Sequence, residues 1–257
     1  MKKIILRSLI ACSISLLLSE YGKAQTANVA DKSSFAGSKN QNPITRKKVD
    51  GQGWRQLFNG TDLSGWRHVG KGDMVVEDGM IHGKGGMGLV YWTKEKFSNC
   101  TLRIVYKMQK ENSNAGVFIR IPIEPHEEWM PVFYGYEVQI DNHPETSNED
   151  DYHYTGTLYS LTKPLSHPGK PGPEWNTIEI TLAGPRTIVY VNSEKVTDYK
   201  EGDPVPERKF DFEPYHGLRP NSGYFGLQNH GENDVVYFKE VAVKSLTAIN
   251  NSHNGKK

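Results

Sequence analysis

Between Tyr134 and His143 the chain reads YGYEVQIDNH, in which Tyr136, Val138 and Ile140 alternate with Glu137, Gln139 and Asp141. Successive side chains of a strand point to opposite faces, so one face is apolar and the other carries two carboxylates and an amide. Carboxyl pairs that cleave glycosidic bonds stand about 5 Å apart in retaining enzymes and about 6.5 to 9.5 Å apart in inverting ones. Glu137 and Asp141 are four positions apart, which at about 3.3 Å per residue separates their backbones by roughly 13 Å. Position 139 would give about 6.6 Å by the same rise, but it holds Gln. Glu137 and Asp141 are therefore a poor catalytic pair, although a carboxylate from another strand could still complete a pair with Glu137.

Two further strands offer faces of the same kind. In NSNAGVFIRIPI, Val117, Ile119 and Ile121 form the apolar set, and Asn114, Gly116, Phe118 and Arg120 are expected opposite. In GYFGLQNHG, Phe225 and Leu227 are apolar, while Gln228 and His230 share a face with Gly226. A solvated sheet face is usually rich in Lys, Thr, Glu and Ser. These three faces instead combine planar amides, carboxylates, Arg, His and a Phe, which suits a cleft where amides and carboxylates meet hydroxyl pairs and a ring stacks on a sugar. The competing reading is a hydrogen-bonded network beneath a loop. Trp129, Tyr154 and Tyr159 lie in or beside loops that could wall such a cleft, although such a residue alone is more often core or rim.

The elements that must position these groups read as β-strands throughout. Apolar residues do not recur at helical spacing, and short alternating runs are separated by Gly, Pro, Asn and Asp. MVVEDGMIHG reads as a hairpin turning at Asp78-Gly79. TLRIVYKMQ, AGVFIRIPI, GYEVQID, TGTLYSL, the long WNTIEITLAGPRTIVYVNSEKVTDY, GYFGLQNHG and VVYFKEVAVKSL read as further strands. So many strands in one domain of about 200 residues predict an all-β jelly-roll sandwich of two antiparallel sheets. Trp54, Trp66 and Trp92 read as core. KGGMGL has no following helix or GK[ST] signature, so it is not read as a phosphate loop. Ser160 lacks the G-x-S-x-G elbow of a serine hydrolase.

The N-terminus sets the expected compartment. Lys2, Lys3 and Arg7 precede LIACSISLLL, and Gly22-Lys23-Ala24 offers small residues for cleavage, so residues 1–24 read as a signal peptide. The apolar run is shorter than the roughly 20 residues of a spanning helix, so no transmembrane span is expected. Cys12 only loosely fits a lipoprotein box. The expected organisation is a signal peptide over 1–24, a flexible linker over 25–50, one domain over 51–247 and a disordered tail over 248–257, in a periplasmic or secreted protein. Removing residues 1–24 takes away four basic residues and one acidic residue, so 31 Lys+Arg and 30 Asp+Glu become 27 and 29. That near-neutral balance, without a basic stripe, argues against nucleic acid as a partner. Cys100 is then the one remaining cysteine, so the core and not a disulfide must hold the fold.

A divalent metal ion is a candidate cofactor. The acidic loop PETSNEDDYH could gather one through Glu149, Asp150 and Asp151, but its spacing matches no defined calcium loop and a solvated loop is the stronger reading. At the cleft itself, His143, His153 and His230 would be the ligands to suspect.

In order along the chain, GWRQLFNGTDLSGWR, WRHVGKGDMVVEDGMIHG, NSNAGVFIR, YEVQIDNH, TGTLY, EWNTIEITLAGPRTIVYVNSEKV and GYFGLQNHGENDVVYFKEVAVKSL closely resemble the 3-keto-disaccharide hydrolase domain family, over about Gly51 to Leu246. The resemblance implies a concanavalin A-like sandwich with its ligand on the concave sheet. It also implies action on glycosides whose glucose unit a partner glycoside 3-dehydrogenase has oxidised at C3. A C3 ketone acidifies the C2 proton, so one base suffices: the enolate expels the C1 substituent and water adds to the enone. For that chemistry the side chains suggest Glu137 as base, His230 as acid or second base, and Arg120 with Gln139 and Asn114 at the enolate oxygen or at hydroxyls. Phe118, Asp141, Tyr159 and Gln228 complete the expected substrate contacts. A lectin-like binding module is the main rival. A conventional glycosidase is the third reading, with Asp141 or Glu179 as the second carboxylate.

Overall fold

The computed structural model describes residues 50–144 and 151–246. The expected signal peptide, most of the expected linker, the expected tail, and Glu149 and Asp150 of the acidic loop lie outside the described residues. In chain order the strands are β1 (Arg55–Gln56), β2 (Trp66–Gly70), β3 (Asp73–Glu77), β4 (Met80–Lys84), β5 (Gly88–Trp92), β6 (Cys100–Met108), β7 (Ala115–Ile121), β8 (Tyr136–Ile140), β9 (Asn176–Ala183), β10 (Arg186–Val191), β11 (Glu194–Lys200), β12 (Tyr224–Asn229) and β13 (Val236–Ser245). One short helix, α1 (Met130–Tyr134), precedes β8.

The strands form two antiparallel sheets, the all-β sandwich the alternation implies. The larger has eight strands in the order β11-β10-β9-β6-β13-β4-β3, with β1 also on β13; the smaller has five, in the order β2-β5-β12-β7-β8. In β6 and β9 every second side chain is buried, as expected of a sheet with one face in water. In β5, β7 and β8 every residue is buried, so the smaller sheet is covered on both faces. Its inner face, with Val117, Val138, Ile140, Phe225 and Leu227, meets Leu102, Ile104 and Ile180 of the larger sheet in the main core. Trp54, Trp66 and Trp92 are buried as expected. Burial pushes the Cys100 thiol up to about 12, as suits a core cysteine.

The outer face of the smaller sheet positions the site. At one end α1, with a proline in its first turn, lays Met130 and Val132 over Leu89, Tyr91 and Phe118 in a second apolar cluster. At the other end the segment around Thr157 runs along the free edge of β8. TGTLYSL, expected as a strand, forms turns with a single bridge, Leu158 to Val138. It still pairs its backbone with β8 through Gln139 N–H to Thr157 O (3.0 Å), Gly156 N–H to Gln139 O (2.9 Å) and Tyr159 N–H to Glu137 O (2.9 Å). These bonds close the sheet edge and bring Tyr159 beside Glu137.

One irregularity redirects a side chain that simple alternation would place with the polar set. Gly226 pairs with Phe118 and Tyr224 with Ile121, so β7 has one residue more than β12 between these pairs and bulges there. Arg120 takes φ +53° in the bulge. Its guanidinium is fully buried and donates to Thr187 Oγ1 (3.1 Å), Pro220 O (3.1 Å), Gly184 O (2.8 Å) and Arg186 O (3.1 Å). Arg120 therefore ties β7 to β10 and to the segment before β12, and is absent from the polar face. The same bulge turns Ile121 out of the expected apolar set and into the cluster under α1.

Four acceptors depend on one buried cation, and an unsatisfied buried polar group costs about 1 to 3 kcal/mol. Arg120→Met should lower stability in urea unfolding by about 2 to 4 kcal/mol, with activity per folded molecule retained. Full stability with lost activity would return Arg120 to the chemistry.

Candidate active site

A pocket of about 380 Å³ opens on the outer face of the smaller sheet, within the range of small-molecule sites. Its floor is Glu137 and Gln139 of β8 with Gln228 of β12. Asn114, Asp141, His230 and Asp234 form one polar flank, and Met87, Trp129, Val132 and Phe212 supply apolar lining.

Glu137 is 6% exposed. Its side chain lies over Gly116 of β7, where a Cβ would stand 2.2 Å from Oε1 and 2.6 Å from Cγ. Glycine at 116 is what lets the carboxyl lie flat on the sheet. Burial pushes the Glu137 carboxyl up to about 8, partly opposed by a hydrogen bond from Gln228. The ionised form of such a carboxyl, a minority at neutral pH, can take a proton from carbon and is a stronger base than an exposed glutamate.

A chain of bonds runs from the floor to the flank. Gln139 Nε2 donates to Asn114 Oδ1 (3.0 Å), Asn114 Nδ2 to Asp141 Oδ2 (3.4 Å), and the His143 N–H to Asp141 Oδ1 (2.8 Å). Burial raises Asp141 to about 6, against the lowering influence of the His143 N–H and the nearby His230 and His143 rings. Among the described residues, Gln139 Oε1 and Gln228 Oε1 are buried without a partner. Both residues face the pocket, where ligand hydroxyls would satisfy these acceptors.

His230 follows β12 and keeps a half-exposed side chain, with Nδ1 2.8 Å from Asp234 Oδ2. Asp234 fixes the ring and leaves Nε2 for a partner in the pocket. Across the pocket His153 stacks on Tyr159 (centroids 4.6 Å apart) and lies 2.8 Å from Ser160 Oγ through Nε2. The Ser160 hydroxyl in turn donates to Glu213 Oε1 (3.4 Å).

Seven residues expected at the site line this one pocket: Asn114, Glu137, Gln139, Asp141, Tyr159, Gln228 and His230. Two do not. Arg120 is drawn away by the bulge, and Phe118, although on the same face as Gly116 and directly opposite Glu137 in register, is fully buried beneath α1. Glu179, a candidate second carboxylate, lies in β9 of the larger sheet opposite Arg103. The sequence reading missed Asp234, whose signal was its place four residues after His230, and Phe212, which had none. Of the suspected metal ligands, His143 pairs with Glu111 (3.0 Å), His230 with Asp234 and His153 with Ser160. Among the described residues no three His, Cys, Asp or Glu side chains are gathered as a metal site would require.

Gly116→Ala must displace the Glu137 carboxyl while leaving the core face of β7 intact, so kcat should fall about 100-fold, the cost of a displacement near 1 Å. A variant of unchanged activity would dissociate Glu137 position from function. The raised Glu137 value also carries a stability signature. The native state retains a proton that the unfolded chain, titrating near 4.5, has released. This contribution is therefore present at low pH and is lost as pH rises through about 8. Asp141 has the same sign but completes its change near 6. Glu137→Gln, permanently neutral, should gain stability over the native chain between about pH 4.5 and about 8, by up to about 1.4 kcal/mol per pH unit, with the gain levelling off above that. Parallel urea-unfolding curves across that window would contradict a buried, protonated Glu137.

The fold recurs among known proteins. Residues 53–244 match the model of the 3-keto-alpha-glucoside-1,2-lyase-like domain. A 3-keto-disaccharide hydrolase from Bacteroides thetaiotaomicron is 26% identical over 237 residues, covering 77% of this chain and 80% of that protein. Among solved structures, a candidate glycosyl hydrolase from Parabacteroides distasonis superimposes with a TM-score of 0.61 at 26% identity, covering 76% of this chain and 94% of that one. A second from the same organism gives 0.60 at 23% identity, covering 75% and 99%. The sandwich is thus of the concanavalin A-like, jelly-roll kind. With the matched region running from before β1 up to residue 244, the last but one of β13, the chain belongs to the 3-keto-alpha-glucoside-1,2-lyase-like domain family.

Proposed function

We propose that the protein cleaves 3-keto-glycosides, and that Glu137 is the base. The observation that carries this reading is one buried carboxyl, raised to about 8, on the floor of a pocket whose neighbouring amide oxygens, on Gln139 and Gln228, have no partner within the described protein. Glu137 takes the C2 proton, and the electron pair of that bond forms the enolate with the C3 carbonyl. The enolate then expels the C1 oxygen, which His230 protonates through Nε2 while Asp234 holds the ring. Addition of water across the resulting C1–C2 double bond, with oxygen to C1 and a proton to C2, completes a net hydrolysis. Asn114 and Gln228 take the donor role at the C3 oxygen that Arg120 cannot fill from the core. Asp141 and Gln139 bind hydroxyls.

The ketone makes a single base sufficient; of the two candidate second carboxylates Glu179 lies on the other sheet, and Asp141, in the same pocket, stands four positions along the chain from Glu137, roughly 13 Å by backbone rise. The substrate must be supplied by an oxidation at C3, the work of a glycoside 3-dehydrogenase, and the leader-like N-terminus supports a reaction outside the cytoplasm. Among the described residues no helix is long and apolar enough to cross a membrane.

A chromogenic glucoside and its 3-keto derivative, offered side by side, test the reaction. Aglycone release is expected from the 3-keto compound alone, and Glu137→Gln should abolish it while retaining substrate binding. Release from the unoxidised glucoside would favour a conventional glycosidase, and binding without release from either would leave a lectin-like module. His230→Ala should slow poor leaving groups more than activated aryl ones. Equal loss across leaving groups would remove His230 from the acid role.

A further inference from the structure

The apolar lining of the pocket continues outward as a row of rings. Trp129 and Phe212 both face the pocket and are 41% and 42% exposed. Trp129 stacks on Phe133 (centroids 6.2 Å apart, planes 25° apart), and Phe133 stacks on Tyr215 (5.1 Å, 26°). The segment that carries Phe212 is anchored. Buried Glu213 accepts the Phe210 N–H (3.0 Å), Arg208 Nε donates to Glu213 O (3.0 Å), and the Tyr215 N–H donates to Phe133 O (3.2 Å). Large rings held half-exposed at a pocket mouth mark a binding surface. They face a site whose hydrogen-bonding groups come chiefly from β8, the start of β7 and the end of β12, so the two parts of a glycoside meet different chemistry.

We infer that Trp129 and Phe212, backed by Met87 and Val132, form an aglycone subsite for a flat aromatic leaving group, a phenol in glycosidic linkage. The assignment rests on the proposed function, because it takes the keto sugar to occupy the polar flank. A second hexose carries hydroxyls around its rim that need partners. Met87, Val132 and Phe212 offer none, and Trp129 offers a single indole N–H. An aromatic aglycone needs none, stacks on the rings and removes apolar surface from water.

The test measures binding and turnover separately. Calorimetric titration of the full chain with 4-nitrophenyl glucoside and with maltose, both unoxidised, reads the subsite without any reaction. The aryl glucoside should bind about 10-fold more tightly, and Trp129→Ala or Phe212→Ala should each shrink that preference about 5-fold, with Trp129→Phe restoring most of it. The same order should appear in KM for the two 3-keto derivatives. Equal affinities, or variants that weaken both ligands alike, would overturn the aromatic subsite even if both 3-keto compounds are cleaved. The expected binding pattern with neither 3-keto compound cleaved would uphold the subsite and overturn the reaction.

Discussion

A carboxyl removed from water on the face of a β-sheet is unstable as an anion, and the site is organised around the arrangement that tolerates it. Glu137 sits in a strand flanked by β7 on one side and by the Thr157 segment on the other, with the core directly behind. The space it occupies exists because residue 116 has no side chain. Gln228 supplies a hydrogen bond without supplying a charge, so the carboxyl is oriented yet keeps a raised proton affinity. An arginine in that place would have fixed an anion and reduced its strength as a base. The bulge that sends Arg120 into the core thus also keeps a cation off the polar face.

The two sheets divide the work. The larger sheet has one solvated face and contributes its other to the core, while the smaller sheet is covered on both sides. Its covered outer face is divided between α1, which seals Phe118 and its neighbours, and the open pocket. A site on regular strands inherits their precision, since each floor residue is held by ladder bonds on either side. The flank is built differently, from the ends of strands, where His230 and Asp234 can approach from beyond β12.

Much of this was legible in the sequence for a physical reason. Alternation specifies which side chains share a face, so Glu137, Gln139 and Gln228 could be grouped, and the buried tryptophans and the sandwich followed from the same periodicity. The grouping failed at Arg120 because a bulge shifts alternation by one position without a proline or glycine in VFIRI to announce it. It failed at Phe118 for another reason: the face was right, but the five-residue helix that covers it is too short to leave a periodic signature. Phe212 and the bond between Ser160 and Glu213 join segments distant in sequence, and no local pattern encodes them. Spacing alone left several carboxylate mechanisms open, and the choice among them made in the proposed reaction follows from what the family resemblance implies.

Deprotonation by Glu137 requires that the bond to the C2 hydrogen break before the aglycone leaves. Cleavage of a 3-keto-glucoside in D₂O, with the released sugar read by NMR in the first moments against free 3-keto-glucose as control, tests it directly. Elimination and hydration predict deuterium at C2 of the product beyond that of the control. Product that retains hydrogen at C2 in full, together with no primary isotope effect on cleavage of the C2-deuterated substrate, would show that the glycosidic bond is cleaved without deprotonation, and would remove Glu137 from the role of carbon base.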